Sequence, residues 1–407
     1  MRQQHPLGLD PGHPLFPIAA MRHEPATGAV EIRFTDGRSE HGAIAPLDAP
    51  TWIREMTFDV RTSNLQATLH GGAELTMSIG TVRTPVDRPV VYLDQNHWID
   101  MARFSIGSTT LSDERRRTCR RITELAMHEQ ILLPISSAHL VEIAKKADRQ
   151  RTEVAQVMMK LSKGWQMRSP LYVQRSELER MFGGAPECLG KGEVFTLEPG
   201  ALFSDAPRPG TEPSPAAVDD LPADLQGLVQ RLSWTAAIVD TFVDTERLMS
   251  DDGLRKARQW ATSFHDLALH VRGNPKARRQ LRQITGVRFL SDIQTDLAGV
   301  ALAAGLTTEE FRDWCQDQAE NDIAAAPMLG RFRELLHLRV SNADDKWAAN
   351  DLNDTLYLCC AGAYADIVVG ERKMTSYLQR ASSKVTKGAT LFRHLEDALP
   401  AIEYATG

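Results

Sequence analysis

Cysteine is scarce in this chain: 407 residues hold five, at positions 119, 188, 315, 359 and 360, and no two form a CxxC pair. That scarcity argues against a zinc ribbon or a disulfide framework and leads us to expect a reducing, cytoplasmic setting. No run of about 18 apolar residues occurs, so no membrane partner is expected. The opening MRQQHPLGLDPGHPLFP has no signal-peptide core. Phosphate-cradling GxxxxGK[ST] and GxGxxG runs are absent, as are local Ser/His/Asp or Cys/His signatures. Positive charge is not in excess either. Lys and Arg total 47 against 53 Asp and Glu, a net charge of -6, which excludes a histone-like binder but leaves local basic patches open. What is present is ordinary globular composition, 42% hydrophobic and 25% charged. At about 150 residues per domain the length suggests two or three domains.

Four segments differ in texture. Residues 1–87 read as an irregular His- and Pro-rich arm to about residue 26, then a small β-rich domain. Its alternating runs are Val30–Phe34, Met56–Val60, Leu65–Leu69 and Leu75–Ile79, with turn signals at Asp36-Gly37 and Gly71-Gly72. Residues 88–182 open on Val90–Leu93, a continuous apolar run expected of a strand buried on both faces of a parallel sheet. Helical stretches follow, then a second expected strand at Ile131–Ile135 and a helix from Ser136-Ser137 through Lys160. Residues 183–345 begin with a Gly- and Pro-dense loop to Pro215 and continue as helices from Leu221. A break at Gly273-Asn274-Pro275 and a Thr307 cap followed by Glu309 and Glu310 punctuate them. Residues 346–407 return to α/β texture: a helix over Asp351–Ala363, a strand ending at Gly370, a helix over Met374–Arg380 and a last strand near Ala389–Phe392. Neither α/β stretch has strands enough for a sheet. The expectation is one discontinuous α/β domain interrupted by a helical insertion.

Acids stand where these elements end. Asp94 follows the first apolar strand directly, Glu142 lies early in a helix after the second, Asp351 and Asp354 open a helix on one face, and Glu371 follows the strand Ile367–Val369 after one glycine. In open α/β sheets the functional crevice lies beyond the carboxyl ends of the strands. Two carboxylates 5 Å apart repel by roughly 3 kcal/mol at an effective dielectric of 20, so convergence calls for protons or a cation. Oxygen-only donors favour Mg²⁺ or Mn²⁺ over Zn²⁺, and such a site suits attack of water on a phosphodiester. Taken singly, each acid is better explained as a helix-dipole partner than as a ligand; the ordered set is what points to a site.

As an ordered set these segments resemble the PIN-domain nucleases. VVYLDQNHWIDMAR looks like that family's opening strand and helix, LLPISSAHLVEIAKK its second signature, and NDLNDTLYLCCAGAYADIVVGERKM its third and fourth. The resemblance covers roughly residues 89–165 and 346–395. It implies a parallel-sheet, three-layer α/β/α PIN-like domain in which Asp94, Glu142, Asp354 and Glu371 are catalytic and hold Mg²⁺ or Mn²⁺. Asp351 is a supporting ligand, and Asn96 and Ser136 are polar groups behind them. The implied activity is endoribonuclease cleavage of single-stranded RNA or tRNA, as in a toxin or defence enzyme, with an inhibitor or partner protein as a further expectation. Two features depart from the family: Glu371 stands where Asp is usual, and about 180 residues separate the halves.

Phosphate recognition needs local positive charge. Arg272, Lys276, Arg278, Arg279, Arg282 and Arg288 occur without an intervening acid, and we expect the first five to contact RNA; a solvated helix face is the alternative. Arg115–Arg121 is a second basic run. Trp98, Trp165, Cys359 and Cys360 are expected in the core, and His139 at the surface or behind the acids. The competing functional reading is a catalytically inactive PIN-like module binding RNA or a protein partner; a third is action on another phosphoester.

Overall fold

A computed structural model describes residues 17–43, 51–62, 64–78, 86–144, 148–183, 188–198 and 251–407, with residues 201, 202, 236, 238 and 239. The chain is mixed α/β and divides into two compact units, one of residues 1–87, 98–167 and 195–248, the other of residues 88–97, 168–194 and 249–407. The sequence segment 88–182 is thus shared between them. Most of the expected helical stretch 221–250 lies outside the described residues.

The first unit contains a six-stranded antiparallel sheet: β1 (Ile18–Glu24), β2 (Ala29–Phe34), β3 (Ser39–Ala43), β4 (Ile53–Asp59), β5 (Asn64–Leu69) and β6 (Glu74–Ser78), in the order β3-β2-β1-β4-β5-β6. Alternation buries Met56, Phe58, Leu65, Ala67, Leu75 and Met77. The arm expected to about residue 26 ends earlier, because Ile18–Glu24 pairs with both β2 and β4; nonlocal pairing makes this strand where the local sequence gives little sign of one. Helix α1 (Gln95–Ser105) leads to α2 (Asp113–Met127), capped by Ser112, then α3 (Ser137–Ala144) and α4 (Asp148–Ser162), which packs on β6. The strand expected at Ile131–Ile135 does not form: Ile135 makes only an isolated bridge to Gln166. Pro134 has no N–H for a ladder. A two-residue pairing joins β8 (Gln166–Met167) to β9 (Phe195–Thr196), so short regular structure does occur within the Gly- and Pro-dense segment. Trp98 and Trp165 are buried, as expected.

In the second unit β7 (Val91–Leu93), β10 (Ile367–Val369) and β11 (Thr390–Phe392) form a parallel sheet, order β11-β10-β7. Val91, Tyr92 and Leu93 pair in register with Ile367, Val368 and Val369, and all six are buried. Asp366 clasps the pairing at its start: its carboxylate accepts from the Val90 N–H at 2.8 Å and from Lys191. Lys191 opens α6 (Lys191–Val194), which follows α5 (Pro170–Gly183). The helical insertion comprises α7 (Asp251–Gly273), α8 (Pro275–Arg279) capped by Asn274, α9 (Leu281–Asp292), α10 (Gln294–Ala303), α11 (Thr308–Asp317), α12 (Ala319–Ala325) and α13 (Pro327–Val340). Thr307 and Glu310 complete a reciprocal capping box at α11. Helices α14 (Asp351–Tyr364), α15 (Arg372–Ala381) and α16 (Leu395–Thr406) complete the unit. Cys359 and Cys360 are fully buried in α14, and desolvation pushes both thiols up. All five cysteines are free thiols. Among the described residues no helix is long and apolar enough to cross a membrane.

Helix α13 is the centre of this unit, buried on nearly every side and packed against α5, α7, α9, α12, α14 and α15. Its first turn is capped by Glu177 of α5, whose carboxylate accepts from the Met328 and Leu329 N–H groups at 2.7 and 2.9 Å and from the Tyr364 hydroxyl at 2.5 Å. Desolvation outweighs these donors and raises the Glu177 carboxyl from its ordinary value. Folding therefore takes up a proton here. The stabilisation is full below the unfolded carboxyl value, about 4.3, and is lost as pH rises from there through the raised folded value. Glu177→Ala leaves three buried donors without an acceptor and should cost on the order of 3 kcal/mol in urea unfolding. Glu177→Gln should cost more near pH 4 than at pH 7, and a cost that grows with pH would contradict this assignment.

Candidate functional site

The register of β7 and β10 sets the site. Leu93 opposes Val369, and the Asp94 N–H donates to the Val369 carbonyl at 2.9 Å, so Asp94 and Gly370-Glu371 leave adjacent strands at one edge. Glu371 takes the N-cap position of α15 and is exposed, and its side chain makes no hydrogen bond or ion pair among the described residues. Gly370 has no room for a side chain: a Cβ there would stand 2.7 Å from Thr375 Oγ1 and 3.2 Å from Leu358 Cδ2. This contact levels Leu358 with the end of β10. Asp354, one helical turn earlier, therefore lies beyond the strand end, on the side where Asp94 and Glu371 emerge. It accepts from Asn350 at 3.0 Å. Asn96, in the first turn of α1, is exposed.

Asp351 has a different task. Its carboxylate accepts from buried Arg339 at 2.7 Å and from the Ala348 N–H at 2.8 Å. Arg339 also bonds Asp345 at 2.8 Å and the Lys346 carbonyl, and lies 3.9 Å from the centre of the Trp347 ring. Lys373 completes the network on Asp345 at 2.5 Å. Two cations and two acids thus fix the 341–350 loop and the start of α14. Asp351 anchors the helix that carries Asp354.

Buried polar atoms border the acids. The Gln95 amide, next to Asp94, and the Thr355 and Thr375 hydroxyls, near Asp354 and Gly370, are buried and have no hydrogen-bond partner among the described residues. Buried polar groups of this kind are commonly satisfied by ordered water. In kind, the acids fit a hard divalent ion, since every proposed donor is a carboxylate oxygen. In arrangement, among the described residues no three His, Cys, Asp or Glu side chains stand together as a metal-binding group.

Two expected residues belong to the first unit. Glu142 is half-buried on α3, and Ser136 is fully buried at the helix start. Ser136 donates its N–H to His139 Nδ1 at 3.0 Å, which makes Nδ1 the unprotonated ring nitrogen. His139 is 1% exposed and packs edge-on to Trp98. The expected surface position for His139 is thus corrected: the side chain closes its own helix N-terminus and belongs to the core.

The expected RNA-binding cations are partly neutralised. Arg272 pairs with Asp344, Arg282 with Glu320 and Glu334, and Arg288 with Asp292. Arg278 donates to the Arg272 carbonyl, while Lys276 and Arg279 make no ion pair among the described residues. In the other basic run, Arg115 pairs with Asp100 and Arg121 with Glu124. Sequence alone does not single out Gln95, Thr355 or Thr375; the first two adjoin Asp94 and Asp354, and Thr375 nears Gly370 only in the fold.

The chain matches no protein-family model, no curated protein and no solved structure.

Arg339→Met removes the cation shared by Asp345 and Asp351. Breaking a buried pair from one side costs about 3–5 kcal/mol, so chemical unfolding should show a loss of that order. A loss under about 1 kcal/mol would mean that the network does not hold the start of α14.

Proposed function

We propose that the second unit carries a PIN-like phosphodiesterase site that hydrolyses RNA, using Asp94, Asp354 and Glu371. The observation that supports this reading is the in-register β7–β10 pairing, which brings Asp94 and Glu371 to adjacent strand ends across 277 positions of sequence. Asp354 lies past the same edge. Carboxylates so arranged create a negative potential that a polyanionic substrate cannot approach without a cation. Mg²⁺ or Mn²⁺ held by Asp94, Asp354 and Glu371 would supply that charge and the means to activate a water molecule. The chain's own contribution is positional. Rigid strand ends hold Asp94 and Glu371, the Arg339 network holds the helix of Asp354, and Gly370 keeps the turn clear. A three-layer α/β/α arrangement, a separate N-terminal β domain and a cytoplasmic location belong to the same proposal.

A second reading, an inactive module that binds RNA or a protein partner, is favoured by one observation: the described acids are not gathered as a three-ligand group. Incubation with single-stranded RNA and tRNA in Mn²⁺ separates the two. The first predicts cleavage with 5′-phosphate ends. Asp94→Asn should lower the rate by more than the roughly 10–100-fold loss typical of groups behind a metal ligand, with an unchanged melting curve. Full activity in Asp94→Asn removes Asp94 from the site, and no cleavage by the wild type selects the inactive module.

A further inference from the structure

We propose that the second unit binds the phosphate backbone of single-stranded RNA on the exposed side of α15 and on the loop and strand that follow it. This deepens the nuclease reading, on which it rests for the choice of RNA among polyanions. From Arg372 to Leu395 the chain has six Lys and Arg and no Asp or Glu. Lys373 is committed to Asp345. Arg372, Arg380, Lys384, Lys387 and Arg393 are exposed and make no ion pair among the described residues. The contrast with residues 272–288, where three of six cations are paired to acids, decides which surface is available to phosphate.

The surface is also built. Helix α15 buries Met374, Tyr377, Leu378 and Ala381 and turns Arg372, Gln379 and Arg380 outward. Gln379 ties the helix to the sheet: its Nε2 donates to the Leu391 carbonyl at 2.9 Å, and its Oε1 accepts from Arg393 Nη2 at 3.0 Å. The Arg393 guanidinium is thereby held beside the outward face of α15. Arg380 is held 5.7 Å from the Tyr377 ring. Between helix and strand the loop is fixed by buried Arg331, which donates to the Thr386 carbonyl at 2.6 Å and to the Pro327 carbonyl. At Gly388 a Cβ would stand 2.1 Å from Arg331 Nη2, so only glycine lets the loop approach this closely. Lys384 and Lys387 flank the anchored Thr386. Cations placed in advance cost less ordering on binding.

Two features select nucleic acid over a lipid surface. No large hydrophobic side chain is exposed between Arg372 and Leu395, whereas a helix lying on a bilayer needs an apolar face to insert. The basic run also begins at Arg372, next to Glu371 at the acidic edge, so a strand lying along α15 leads its phosphates to that edge.

Fluorescence anisotropy of a labelled single-stranded RNA against the full chain in EDTA, over a salt series, tests this. The Arg372→Ala/Arg380→Ala/Arg393→Ala triple variant should bind about tenfold more weakly or worse. Its salt slope should be shallower by about 2, at roughly 0.7 per lost phosphate contact. The Arg272→Ala/Arg288→Ala double variant, at cations already paired to Asp344 and Asp292, should stay within about twofold of wild type. Unchanged affinity and slope in the first variant, loss confined to the second, or binding to anionic vesicles in place of RNA would overturn the proposal. EDTA removes cleavage from the measurement, so failure of the nuclease reading leaves this result readable. An active enzyme whose RNA affinity ignores α15 would sink the surface alone.

Discussion

Three residues on each side of one parallel pairing, Val91–Leu93 against Ile367–Val369, bring residues 88–97 and the last part of the chain into one compact unit. Closing so long an intervening segment costs entropy only logarithmically, yet a three-residue ladder is a small return. The added stabilisation is local and specific. Both strands are fully buried, so each contributes apolar area on both faces, and the Asp366 carboxylate accepts at the start of the ladder from Val90 and Lys191. A one-residue slip would reverse the facing of every side chain. The register that buries Val91 and Leu93 is therefore also the register that puts Asp94 beside Gly370.

Charged groups do structural work in this unit that apolar packing usually does. Glu177 caps α13, Arg331 positions the loop before β11, and Arg339 gathers Asp345 and Asp351. Each is less than a tenth exposed and makes several hydrogen bonds. Buried charge of this kind adds little net stability over a well-packed apolar residue but penalises every arrangement that leaves it unpaired. That penalty suits a centre whose elements come from three stretches of sequence. It also separates two uses of acids: Asp345, Asp351, Asp366 and Glu177 hold the frame, and Asp94, Asp354 and Glu371 face its edge.

Much of the parallel sheet was legible in the sequence because two of its strands are unbroken apolar runs and its helix Asp351–Tyr364 carries small and apolar residues. The Thr307 cap and the Asn274 break were readable for the same reason: their chemistry is local. Nonlocal causes hid the rest. Strand β1 depends on partners at 29–34 and 56–59, and Ile131–Ile135 looked like a strand until the missing N–H of Pro134 is weighed. The basic run at 272–288 looked available because the acids that pair with Arg272 and Arg282 lie 38 to 72 positions away. The α15 surface escaped notice because its cations are spread over a helix, a loop and a strand. Asp351 reads as a supporting ligand through the family resemblance, and only the fold reveals Arg339 beneath it.

The central claim is that Asp94 and Glu371, distant in sequence, act on one cation. A double-mutant cycle on Mn²⁺ affinity tests it most directly, with Asp94→Asn, Glu371→Gln and the pair titrated calorimetrically against the wild type. Shared coordination predicts strong non-additivity, the second substitution costing little once the first has been made. Independent, additive losses, or Mn²⁺ affinity untouched by either change, would contradict the account.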